Sequence, residues 1–255
     1  MRGMRIQQSL PLSEAIDSLG YAVVENAIGP TARAAVCAAL AHFDPSPGKG
    51  GARNLLMRPE IAALCRSTAI AAPVCELLGV GAFAYKATLF DKTPTANWKV
   101  AWHQDLSIPV RGDARPPGWK GWSIKAGVLH AQPPAELLEQ VLAVRVHLDD
   151  CDTANGALRV IPRSHREGRL DEAAVERWKA GDGAVRCDVK AGGLLLMRPL
   201  ILHSSSAGDM PRHRRVVHLE FATVDLPAGL EWAEQITIAP ATPYPLSPLA
   251  GRGLG

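Results

Sequence analysis

The rhythm of apolar and polar positions changes once along this chain, near residue 80. Before that point helix and strand signals alternate. Ser13 is placed to cap a short helix running through Leu19, and Gly20 stops it. Tyr21-Ala22-Val23-Val24 reads as a strand, and Pro30 and Thr31 open an Ala-rich helix extending to about His42. The segment 44–54, DPSPGKGGARN, is a loop by composition. Residues 59–78 read as helical, with a break expected near Pro73.

From residue 82 the period shortens to two. AFAYKATLF alternates, so Lys86 and Thr88 share a face with Phe90. In VLAVRVHLDD (141–150), Leu142, Val144, Val146 and Leu148 line one face, and Arg145, His147 and Asp149 the other. Further strands are expected at 157–161, 184–189, 193–197 and 216–224. Lys190-Ala191-Gly192-Gly193 forms a turn between two of them. Residues 170–180 read as one inserted helix. The stretch 106–122 is rich in Pro, Gly and charge and reads as a long loop, a candidate lid. Its Trp119 and Trp122 are placed either to cover an apolar substrate or to pack the loop onto the body. Arg111 and Arg115 are placed to meet an anion.

Helices followed by many short strands predict a mainly β fold with flanking helices, built on a double-sheet jelly roll. A single domain is expected over 1–255. Its parts are a helical N-terminal segment (about 1–80), a jelly-roll core (about 81–225) and a C-terminal extension (226–255).

Composition narrows the function classes. Hydrophobic residues make up 47% and charged residues 21%, an ordinary globular balance that argues against disorder. The net charge of +3 comes without a Lys/Arg run, so nucleic acid is not an expected partner. Cys37, Cys65, Cys75, Cys151 and Cys187 are odd in number and form no C-x-x-C pair, which argues against a disulfide framework or a structural zinc site. With no apolar stretch behind the basic N-terminus and no run of about 18 apolar residues, the expectation is a cytoplasmic protein without membrane contact. A monomer or homodimer acting on a small molecule completes that expectation.

Candidate chemistry centres on His103-Gln104-Asp105. On a strand, positions 103 and 105 face the same way. An imidazole and a carboxylate could therefore grip one cation, and a second His would complete the two-His-one-carboxylate set of non-haem Fe(II) sites. His203, at the end of the apolar run LLLMRPLILH, is one candidate. Spacing alone also allows His130, His147, His165, His213 and His218. Of Arg214 and Arg215 only one can face an interior, and a buried guanidinium there needs an anion such as a carboxylate.

Four segments resemble the phytanoyl-CoA dioxygenase family of Fe(II)/2-oxoglutarate oxygenases. They are LGYAVVENAI, LFDKTPTANWKVAWHQD, NGALRVIPRSHREGRL and AGGLLLMRPLILHSSSAGDMPRHRRVVHLEF. Together they span most of the chain. The resemblance implies Fe(II) held by His103, Asp105 and His203. It implies 2-oxoglutarate and O2 as co-substrates, with Arg214, eleven residues after His203, on the far carboxylate. Ser205 would assist that carboxylate, Gln104, between the ligands, is counted among the co-substrate contacts, and Lys86, Thr88 and Arg145 fall on strands lining the co-substrate pocket. The chain departs from the family at Arg163, usually Gly, and at Gly208, often Asn. Retention of Asp105 separates it from related halogenases, where a small residue leaves room for halide. The activity implied is hydroxylation of an unactivated C–H bond with release of succinate and CO2. The same machinery could instead drive demethylation, epoxidation, desaturation or ring closure. Two further alternatives are a cupin-like metalloenzyme that does not use 2-oxoglutarate and a non-catalytic binding module.

Overall fold

The computed structural model describes residues 10–43, 51–209 and 212–239. Most of the 44–54 loop and the last part of the 226–255 extension therefore lie outside the described residues. The chain opens with α1 (Leu12–Leu19), β1 (Tyr21–Val24), α2 (Pro30–Ala39), α3 (Pro59–Arg66) and α4 (Thr68–Leu78). Strands then dominate: β2 (Phe83–Lys92), β3 (Val100–His103), β4 (Ile108–Arg111), β5 (Lys120–Lys125) and β6 (Val128–Gln132). After the single-turn α5 (Ala135–Leu138) come β7 (Val141–His147), β8 (Leu158–Ile161), α6 (Glu172–Ala180), β9 (Val185–Cys187), β10 (Leu194–Met197) and β11 (Leu202–Ser205). The chain's last described strands are β12 (Arg214–Ala222), β13 (Glu231–Trp232) and β14 (Ile236–Thr237).

The strands form a six-stranded sheet, β1-β10-β7-β12-β2-β14, and a four-stranded sheet, β3-β11-β8-β9. Every pairing is antiparallel. This is the expected mainly β, jelly-roll architecture. Its division of faces follows the alternation in β7. Leu142, Val144, Val146 and Leu148 join Leu194, Leu196, Val217 and Leu219 in one cluster with Ile16, Ile61, Ile70 and Val74 of the helices. The helical layer thus seals the outer face of the large sheet. Arg145 and His147, on the opposite face, are left pointing into the sandwich.

Several local expectations need correction. Ser13 does not cap α1. The helix begins one residue earlier, with Pro11 at the N-cap and no side-chain cap bond. Gly20 does stop it, at φ 85°, a left-handed conformation that glycine adopts without strain. The Ala-rich helix ends at Ala39, short of His42. The break in 59–78 falls at Ser67, whose backbone is extended, and not at Pro73, which α4 accommodates. The Ser67 hydroxyl donates to Leu64 O at 2.7 Å and so ends α3 locally. No single helix among the described residues is long and apolar enough to cross a membrane. The bent pair α3–α4 (56°) passes by length and composition together, but its apolar residues serve the core.

The largest correction concerns 106–122. It is not one loop, because β4 and the start of β5 lie within it and join β6 and β13 in a third sheet, β13-β4-β6-β5. Trp119 and Trp122 stack (centroids 6.1 Å apart) and pack against Ile108, Val110, Ala131 and Leu138. Arg115 lies 4.0 Å over the Trp122 ring, and Arg111 is paired with Glu231 at 2.7 Å. The tryptophans therefore fasten the segment to the body, and both arginines already have partners.

Candidate metal and co-substrate site

β3 and β11 are antiparallel neighbours, and their register sets His103 directly opposite His203. The two rings lie 4.2 Å apart. Asp105 follows β3 by two residues, and its N–H donates to Pro199 O at 2.9 Å, which folds the carboxylate back toward both rings. Its oxygens lie 3.8 Å from His103 Nε2 and 3.6 Å from His203 Nε2. One ligand atom from each residue fits within 4.8 Å of the others, a spacing that could hold one metal ion. Each Nδ1 faces a backbone carbonyl, Ala101 O at 2.8 Å and Ile201 O at 2.9 Å. Donation from Nδ1 leaves the Nε2 lone pairs free and converging, as a metal needs.

The protonation states suit a divalent cation. Burial pulls the His203 pKa down to about 4 against the opposing pull of Asp105, so the imidazole is neutral at pH 7. Desolvation raises the Asp105 pKa, but His203, His218 and His103 outweigh it and hold the carboxyl well below its usual range. Among the described residues no other histidine joins this group. His218 Nε2 reaches 3.8 Å from Asp105 but bonds Glu220 at 3.1 Å. His213 pairs with Asp91 at 2.8 Å. His147 is buried with neither ring nitrogen partnered.

A cavity of about 360 Å³ opens onto the triad. One end is strongly cationic. Arg145 and Arg214 are buried, and neither has a carboxylate within ion-pair distance among the described residues. Arg145 donates to His218 Nδ1 at 3.3 Å, and Arg214 donates to Gly156 O. Each Nε is left without a partner. Burial, then the neighbouring Arg214, lowers the Arg145 pKa to about 10, and burial also lowers that of Arg214. Arg215, on the other face of β12, pairs with Asp149 at 2.8 Å, as strand alternation requires. Two desolvated guanidiniums with unused donors fit a carboxylate. Gly156, at φ 77°, is part of this seat: a Cβ there would overlap Ser206 O.

The remaining expected residues divide. Ser205 is buried at the cationic end, where its hydroxyl accepts from Lys92 Nζ at 3.3 Å. Thr88 is buried on the cavity wall opposite His218. Lys86 lines the cavity, but it is no free cation: its Nζ lies 2.6 Å from Glu220 Oε1. Gln104 needs the clearest correction. Its amide donates to Gly168 O (2.8 Å) and Leu200 O (2.6 Å) and accepts from Leu170 N (2.8 Å). Both donors are committed to backbone, so Gln104 braces the segment carrying Asp105 and offers no donor to a co-substrate.

Two polar residues, Lys92 and Glu220, escaped the sequence reading, and a third, His218, was read only as a possible metal ligand. Lys92 extends the inward face of Lys86, Thr88 and Phe90, and burial, then Arg214, pulls its pKa down to about 7. His218 and Glu220 share parity with Arg214 on β12. Glu220 also accepts from Tyr85 Oη at 2.7 Å. Burial raises the Glu220 pKa, but Lys86 and His218 more than offset it and keep the carboxyl ionised. The signal was parity along two strands, followed to their ends.

No curated protein matches the sequence. Solved structures of similar fold include EctD from S. alaskensis, crystallised with 2-oxoglutarate and 5-hydroxyectoine. It is 20% identical, with TM-score 0.63, over 83% of this chain and 75% of EctD. The carbocyclase SnoK of nogalamycin biosynthesis is 15% identical, with TM-score 0.67, over 91% of this chain and 97% of its own. HygX from Streptomyces hygroscopicus, with nickel, 2-oxoglutarate and hygromycin B, is 17% identical, with TM-score 0.59, over 81% and 84%. At these identities the likeness speaks for the fold. The phytanoyl-CoA dioxygenase pattern itself matches residues 16–216. The chain therefore belongs to the phytanoyl-CoA dioxygenase family of oxygenases, which work with Fe(II), 2-oxoglutarate and O2.

Proposed function

We propose that the whole chain is one oxygenase domain that hydroxylates an unactivated C–H bond of a small molecule, releasing succinate and CO2. Its helical part covers about 1–80, the jelly-roll core about 81–225 and the C-terminal extension 226–255. His103, Asp105 and His203 hold the iron. Arg214, with Ser205 and Arg145, takes the far carboxylate of 2-oxoglutarate, and Thr88 lines the same pocket. The observation that carries this reading is the pairing, in one cavity, of a converging His-Asp-His set with two buried, carboxylate-free guanidiniums.

Fe(II) with 2-oxoglutarate and O2 supplies the oxidising power, one oxygen atom ending in succinate and the other in the product. The residues of this chain do the rest. His203 enters neutral and gives its Nε2 lone pair without first losing a proton. Asp105 contributes the negative charge that offsets part of the metal's. Arg214 fixes one end of the co-substrate and so its orientation at the other. Phe90, edge-on to His218 at 5.9 Å and beneath the Arg145 guanidinium at 5.5 Å, gives the cationic end an aromatic wall. Lys86 stays paired with Glu220 and shapes the wall.

Structural neighbours include an epimerase, SnoN, and the carbocyclase SnoK. Epimerisation and ring closure are thus products to be looked for beside an alcohol. The test is to add Fe(II) and 2-oxoglutarate anaerobically and record the visible spectrum. Wild type is expected to show a weak charge-transfer band that His203→Ala loses and Arg214→Ala weakens. Bound iron with no band in wild type would move the assignment to a cupin-like metalloenzyme or a binding module.

A further inference from the structure

The cavity has a second cationic end. Along the β2–β12 ladder Arg214 faces Lys92, His218 faces Thr88 and Glu220 faces Lys86. Lys86 and Lys92 are six positions apart on β2, about 20 Å along the backbone at roughly 3.3 Å per residue. Asp105, beside His218, lies between the two ends. A five-carbon dicarboxylate anchored at Arg214 and reaching the metal cannot also occupy the Lys86 end.

At that end three elements bring cations together. Lys86 Nζ donates to Ser107 O at 3.4 Å and Lys125 Nζ donates to Ser107 Oγ at 3.0 Å, so the two ammonium groups meet at one residue. Arg53 lines the same wall. Burial lowers the Lys125 pKa first, and Lys86 and Arg53 lower it further. Burial likewise lowers that of His130, which faces the same three cations. Glu220 serves Lys86. Lys125 and Arg53 have no carboxylate within ion-pair distance among the described residues. Loading does not cancel this charge. The two carboxylates of the co-substrate match the two charges of the metal, and Asp105 and Glu220 offset only two of the five Lys and Arg side chains lining the cavity.

We infer that Lys125 and Arg53, backed by Lys86, form a subsite for an oxyanion, a carboxylate or phosphate, carried by the molecule that is oxidised. This rests on the proposed oxygenase reading. A half-buried ammonium without a counter-ion is costly, and an arriving anion removes that cost while fixing which carbon meets the metal.

Pyridoxal 5′-phosphate tests the subsite, with pyridoxal as its phosphate-free control. Each aldehyde condenses with a lysine amine to an imine, losing water, and borohydride reduces the imine to a stable secondary amine that peptide mapping locates. The ratio of the two labelling rates at one lysine cancels that lysine's intrinsic reactivity. At Lys125 the phosphate form is expected to react at least about tenfold faster, whereas Lys179 and Lys190, both in surface pairs, react similarly with either reagent. Arg53→Gln should reduce the ratio at Lys125. Anaerobic Fe(II) with 2-oxoglutarate should leave it unchanged. A ratio near one at Lys125 overturns the inference. So does loss of the preference on adding 2-oxoglutarate, which would assign these cations to the co-substrate. The charge-transfer band is read in the same sample. With the band and no preference, the subsite alone fails. Without the band the oxygenase reading fails, and the subsite loses its substrate role whatever the labelling.

Discussion

Gln104→Ala separates bracing from co-substrate binding at the residue between two proposed ligands. The side chain is buried and makes three hydrogen bonds, to Gly168 O, Leu200 O and Leu170 N, all at 2.6–2.8 Å. Each contributes about 1 kcal/mol net. Alanine leaves their backbone partners to whatever water enters, so a loss of about 3 kcal/mol is expected. For a chain of this size each kcal/mol lowers Tm by roughly 2–4 °C, which gives a fall of about 6–12 °C. Gln104→Glu should do at least as badly, since a carboxylate offers no donor to the two carbonyls. Thermal and urea unfolding measure the stability, and anaerobic titration of the charge-transfer band measures 2-oxoglutarate affinity. The expected pattern is a large stability loss with co-substrate affinity little changed in the protein that remains folded. An unchanged Tm together with lost 2-oxoglutarate affinity would refute the bracing role and return Gln104 to the co-substrate pocket.

Other perturbations test other parts of the site. Arg214→Ala should keep iron yet weaken 2-oxoglutarate binding by about two orders of magnitude, the loss of a charge-assisted pair of bonds of roughly 3 kcal/mol; equal affinity in the variant would remove Arg214 from the site. Glu220→Gln should cost about 3 kcal/mol or more, because Lys86 is then left largely buried and unpaired. Adding Lys86→Met should recover part of that loss in urea unfolding, and strict additivity of the two changes would count against the pair. Burial, then Arg145 and Arg214, holds the His147 pKa well below its ordinary value. The unfolded chain therefore takes up a proton near pH 6.5 that the folded one refuses, so this residue's contribution is complete above about pH 6.5 and is lost as pH falls, at up to about 1.4 kcal/mol per pH unit. His147→Leu should flatten the stability profile between pH 7 and 5, and an unchanged slope would show that other groups set it.

Much of this was legible in the residues. Within β7 (Val141–His147) the alternation assigned both faces correctly, because a sheet buried on both sides still separates aliphatic from charged neighbours, whereas Asp149, read onto the inner face, lies past the strand's end and pairs with the outward Arg215. Resemblance pointed to His203, where spacing alone had left six histidines, and the antiparallel register then set it opposite His103. What misled was local. Ser13 looked like a cap, yet the helix started one residue before it. Ser67 ended a helix where Pro73 seemed the obvious breaker, because a hydroxyl-to-carbonyl bond is invisible in a hydropathy pattern. The third sheet was missed because β4 is four residues long and contains Pro109, so its two inward residues, Ile108 and Val110, are too few for a period. Gln104 and Lys86 were assigned by position, whereas their partners, the carbonyls of Gly168 and Leu200 and the carboxylate of Glu220, come from strands and turns far along the chain.

Arg145 and Arg214 have one more consequence. A chain that buries two positive charges without counter-ions folds partly against itself, and a bound dicarboxylate relieves that opposition. Ligand at a hundredfold over its Kd stabilises the folded state by about 2.7 kcal/mol. Bound 2-oxoglutarate would then slow unfolding and proteolysis of each molecule as well as permit turnover. Protease resistance measured across 2-oxoglutarate concentrations, with Arg214→Ala as the insensitive control, would read that coupling directly.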